Sequence, residues 1–140
     1  ESNQVQPDVF TFNTALSAYS VLCRLGNLSF QSSMDFVKRM KAIEIQPDVV
    51  SFNTLMKISF DSADLKSTIR NKKNLMPATR ALREMDEILE VMKEFGVKRD
   101  VVSFNILFHS AALACKNGIE YNASQPLLWL EEMRCSDVKP

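Results

Sequence analysis

Asn13, Asn53 and Asn105 each stand five residues after an aspartate, Asp8, Asp48 and Asp100, inside one recurring string. The copies read Pro7-Asp8-Val9-Phe10-Thr11-Phe12-Asn13, Pro47-Asp48-Val49-Val50-Ser51-Phe52-Asn53 and Arg99-Asp100-Val101-Val102-Ser103-Phe104-Asn105. A carboxamide both donates and accepts hydrogen bonds, so a row of them suits recognition along a surface. It does not suit bond cleavage. The single histidine, His109, has no serine triad or paired carboxylates around it, which leaves general acid-base catalysis without support. Cys23, Cys115 and Cys135 make no CxxC pair and lie near no histidine cluster, so they read as reduced apolar fillers with no metal or cofactor implied.

The spacing of the copies organises the rest of the chain. Asp48 follows Asp8 by 40 residues, Asp100 follows Asp48 by 52, and Met40 and Met92 each precede the next aspartate by eight. A block with a fixed head and tail that recurs at tens of residues marks a stack of supersecondary units. Val5-Gln6-Pro7-Asp8 matches Ile45-Gln46-Pro47-Asp48, so residues 1–7 read as the tail of an earlier unit. Units follow at 8–47, 48–99 and 100–140, the second carrying a basic insertion at 61–76. Val138-Lys139-Pro140 reads as a tail whose aspartate is missing, and the expectation is a segment of a longer array.

Composition fits a stack of helical units: of 140 residues, 46% are hydrophobic and 24% charged, enough to bury a core. No run of about 18 apolar residues is present, so no membrane contact is expected. A net charge of zero argues against a generic polyanion binder. The charge is uneven, however. Lys66, Arg70, Lys72, Lys73, Arg80 and Arg83 form a basic stretch, whereas Glu84 to Glu94 is mostly acidic.

The apolar residues after each aspartate recur at helical spacing: Phe12, Ala15, Leu16, Tyr19 in the first unit and Phe104, Leu107, Phe108, Ala111 in the third. Aspartate at the start of such a stripe reads as an N-cap, and these are the A helices. A second stripe, Met85, Ile88, Leu89 and Met92, aligns with Phe36, Val37, Met40 and with Trp129, Leu130, Met133, defining the B helices. Gly26, Gly96 and Gly118 stand where helices stop, at positions suited to a left-handed backbone. Stacked A–B pairs predict an all-α solenoid in which one edge of every A helix lines a groove. The asparagines lie about 100° past the aromatic core position, off the buried stripe. Asparagine is a poor helix former, so its recurrence in the early turns calls for a function.

The head block, the Cys23-Arg24-Leu25-Gly26 and Cys115-Lys116-Asn117-Gly118 strings, and the closing Glu90-Val91-Met92-Lys93-Glu94-Phe95-Gly96-Val97-Lys98 resemble, in that order, the pentatricopeptide repeat family. The resemblance implies an α-solenoid that binds single-stranded RNA at one base per repeat, usually in mitochondria or chloroplasts. It implies that Asn13 works with Asp48 and Asn53 with Asp100 to read a base, uridine before cytidine, with Asn105 awaiting a partner beyond the chain. An amide oriented by a carboxylate suits a pyrimidine Watson–Crick edge. Phe10, Val50 and Val102 would stack between successive bases, or else seal the seams between units.

This chain departs from the family in its long units and in its cations. The lysine commonly placed near phosphate is replaced at the same offset by Val21, Asp61 and Leu113. Arg24 and Lys116 lie about a turn further out, and Lys57, Lys72 and Lys73 are the other candidates for phosphate contact. His109 shares its helix position with Ser17 and Lys57. The basic insertion reads as a solvated linker or as a phosphate-contacting or protein-docking arm. An RNA-binding module of organellar RNA processing or translation is the leading reading. The alternative is a helical scaffold that binds proteins within an organellar ribosome or other ribonucleoprotein or transcription complex.

Overall fold

The computed structural model describes residues 5–69, 76–120, 122 and 124–136, with the side chains of 63–69 and 76–78 left aside. All regular structure among the described residues is helical: α1 Val9–Arg24, α2 Phe30–Ala42, α3 Val49–Ile69, α4 Met76–Glu94, α5 Val101–Lys116 and α6 Ser124–Cys135.

Each boundary has a local cause. Asp8 and Asp100 adopt extended backbone and cap α1 and α5 through the amides of Thr11 and Ser103, and Asp48 does the same for Ser51. The stops are equally local. Gly26, Gly96 and Gly118 take positive φ at the ends of α1, α4 and α5, closing each with a bond from the residue after the glycine back to Leu22, Met92 or Ala114. Glu44 does the same job after α2 at φ 58°, although it carries a side chain.

The A helices α1, α3 and α5 pack in a row, α3 against both others, while α2 backs onto α1 and α3 and α4 onto α3 and α5. One hydrophobic cluster runs unbroken through all three pairs, from Leu16 through Met40, Phe52, Ile88 and Phe104 to Trp129 and Met133. Within pairs, Phe36 packs on Phe12 and Tyr19 with ring centroids 5.3 and 4.8 Å apart, and Phe108 meets Trp129 edge-on. A buried side chain of this size contributes about 1.5–3 kcal/mol. Exposed ion pairs such as Lys38–Glu87 contribute about 0–1 kcal/mol, so packing holds the stack together.

Two expectations change. Leu130, assigned to the buried stripe of α6, is exposed, as are Leu127 and Leu128. The equivalent Leu89 of α4 is packed because α5 stands against α4, and no described element stands on that side of α6. The stretch read as an insertion from residue 61 begins as helix, because α3 continues to Ile69 without a glycine or proline to stop it. Its tip, including Lys72 and Lys73, lies outside the described residues, and Pro77 sits in the first turn of α4, where its missing N–H costs nothing.

Candidate nucleic-acid interface

The edge formed by the first turns of α1, α3 and α5 holds the asparagines. Asn13 Nδ2 donates to Asp48 Oδ1 at 3.1 Å, and Asn53 Nδ2 donates to Asp100 Oδ1 at 3.0 Å. Each bond joins one A helix to the cap of the next. The aspartates therefore serve two helices at once, because Asp48 Oδ1 also accepts from the Ser51 amide at 3.0 Å and Asp100 Oδ1 from the Ser103 amide at 2.9 Å.

A third residue completes each cluster. Ser51 Oγ lies 2.6 Å from Asn13 Oδ1, and Ser103 Oγ lies 2.6 Å from Asn53 Oδ1. These hydroxyls also accept from the amides of Asp48 and Asp100 at 3.2 Å, the second half of a capping box. The same hydroxyls stand 3.1 and 2.9 Å from Asp48 Oδ1 and Asp100 Oδ1; a hydroxyl has one proton, and the shorter contact, to the asparagine carbonyl, takes it. Sequence reasoning missed the serines as part of the site. The signal was a hydroxyl residue three after every aspartate, Thr11, Ser51 and Ser103, which reads as ordinary capping.

Partial burial pushes the Asp100 carboxyl up. The Ser103 amide and the Asn53 carboxamide outweigh burial and hold it below the ordinary carboxylate value. Asp8 is also held low, by the Thr11 amide and hydroxyl. Asn105 is exposed and has no hydrogen-bond partner among the described residues.

Phe10, Val50 and Val102 are 75%, 51% and 52% exposed, so none is a sealed seam residue. Phe10 and Val50 stand on either side of an open recess of about 420 Å³ that Asn13, Thr14, Ser17 and Asp48 also line. Recess, aromatic wall and amide are thus contiguous at the first pair.

The cations are placed less evenly. Lys57 is exposed one turn beyond Asn53 on the same face, within reach of a backbone threading past it. Arg24 and Lys116 are exposed at the far ends of α1 and α5, eleven residues and so about 16 Å beyond their asparagines. His109 is exposed on α5 with its ring 6.3 Å from that of Phe60. Among the described residues no group of three or more metal-ligating side chains gathers, and no helix is long and apolar enough to cross a membrane.

Helix pairs stacked in register, each repeating one amide, one carboxylate and one capping hydroxyl at the same edge, define an α-helical repeat protein. Residues 1–62, which cover the first pair and most of α3, match the family model of the pentatricopeptide repeat domain. It is a family of RNA-binding helical repeats, generally non-catalytic and commonly organellar. The helices after residue 62 continue the same all-helical architecture. Comparison with curated proteins gives no match.

Proposed function

We propose that the chain is a sequence-selective single-stranded RNA-binding module that reads one base per repeat, prefers pyrimidines with uridine before cytidine, and acts in organellar RNA metabolism or translation. One observation carries the reading: Asn13 and Asn53 are each held at both ends of the carboxamide by the following unit. A carboxamide has two N–H donors and two carbonyl lone pairs. The clamp uses one of each, which leaves one donor and one acceptor for a base. Uracil presents both complements on its Watson–Crick edge, a carbonyl oxygen and the N3–H. Cytosine also presents both, its N4 amino group and N3, so the amide admits either pyrimidine, and the order uridine before cytidine is what the family resemblance implies.

Exposed Phe10, Val50 and Val102 supply the walls between successive bases, and Lys57 supplies a cation near the second. The repeats have no catalytic role in this reading. Binding of RNAs that differ at one position opposite Asn13/Asp48 or Asn53/Asp100 tests it: uridine should bind best at both. Equal binding of all four bases at both positions would instead favour a protein-binding scaffold, the reading to which Val21 and Leu113, apolar where phosphate-contacting lysines are expected, lend support.

A further inference from the structure

We infer that Ser51 and Ser103 are positioning residues that set base specificity, each acting on the asparagine of the unit before it; this rests on the RNA reading above. Both serines are fully buried, so their hydroxyls have no water to exchange with. Each Oγ accepts from the amide of its own aspartate at 3.2 Å and lies 2.6 Å from the asparagine carbonyl. It also stands 3.1 or 2.9 Å from Oδ1 of its own aspartate, so the 2.6 Å contact is the shorter of two paths for its one proton, which it directs at Asn13 Oδ1 or Asn53 Oδ1. Thr11 provides the contrast. It keeps the contact to its own aspartate, Oγ1 to Asp8 Oδ1 at 2.9 Å, but no asparagine precedes it among the described residues to offer a shorter one, and the other half of its box opens to 3.5 Å.

The geometry admits only one orientation of the amide. Turning Asn53 over would set its carbonyl against the Asp100 carboxylate, an acceptor facing an acceptor. The aspartate alone fixes where the nitrogen goes. The serine fixes the oxygen, and with it the directions of the spare N–H and the spare lone pair that address the base. A base-reading site is therefore built from three residues on two units, and its specificity depends on what stands three residues after the next aspartate.

The test compares the chain with Ser103→Ala, in which the Ser103 amide still caps Asp100 and the first site is untouched. Two readouts are taken: the side-chain amide resonances of Asn53 and Asn13, and the preference for uridine over other bases at each position, measured by titrating short RNAs that differ at one base. The Asn53 amide signals should move toward those of a solvated carboxamide while those of Asn13 stay in place. Uridine preference opposite Asn53 should fall about fivefold, the worth of one ordinary hydrogen bond, and remain intact opposite Asn13. Unmoved Asn53 signals would overturn the positioning role whatever the RNA does. Moved signals with undiminished uridine preference would overturn the specificity role and leave the RNA reading standing. Absence of any base preference in the unaltered chain at both sites would instead overturn the RNA reading, and the specificity role with it.

Discussion

Asn53 and Asp100 meet at 3.0 Å although 47 residues of chain separate them, and the same two side-chain types meet at 3.1 Å across 35 residues at Asn13 and Asp48. The intervening lengths differ, yet the geometry repeats. That is possible because the extra residues lengthen α3 and α4, at the end of the helix pair away from the A-helix cap. Helix length can thus vary without disturbing the seam between first turns.

The Asn53–Asp100 bond should make stability depend on pH in a definite direction. Asp100 titrates below its unfolded value of 3.8, so its contribution is present in full above that value and is lost as pH falls through the lower folded-state pKa. Thermal unfolding of the chain and of Asp100→Asn should differ by a constant amount well above pH 3.8 and converge as pH falls below it. A difference that grows on acidification would contradict the network.

Glu44 pays for its place at the end of α2 in backbone strain, since it holds φ 58° where the equivalent residue of the second unit is Gly96. Left-handed backbone costs a side-chain-bearing residue about 1–2 kcal/mol, partly offset by the greater freedom glycine loses on folding. Glu44→Gly should therefore raise stability by about 0.5–1 kcal/mol, read as a higher denaturant midpoint with an unchanged slope. Gly96→Ala should lower it by a similar amount.

Phe10 is the one aromatic wall among the three exposed positions, and removing it separates stacking from folding. Phe10→Ala should weaken RNA binding by about 1–3 kcal/mol and Val102→Ala by less, whereas both should leave the unfolding midpoint nearly unchanged. A large loss of stability in Phe10→Ala would place the ring in the packing rather than in the groove.

Much of the fold was legible because it depends on local, repeated signals. Aspartate caps, glycine stops and the stripes containing Phe52, Ile88, Phe104 and Trp129 need only helical spacing to be read. The pairing of Asn53 with Asp100 came from the family resemblance, which spans the variable length between them. Ser51 and Ser103 escaped because a hydroxyl in a capping box already has a sufficient local explanation; its second bond crosses to another helix, and no local pattern reports that. Leu130 escaped for the complementary reason. Periodicity says that a residue is apolar and on a face, but not whether another element arrives to cover it.

The most direct test of the account is competition binding with single-base RNA variants, comparing the chain with Asn53→Thr, because the family resemblance implies that threonine with a terminal aspartate reads guanosine. The account predicts uridine preference opposite both Asn13/Asp48 and Asn53/Asp100 in the unaltered chain. In the variant, preference should move to guanosine at the second position alone, with the first unchanged. Indifference to base identity at both positions in both proteins would contradict it.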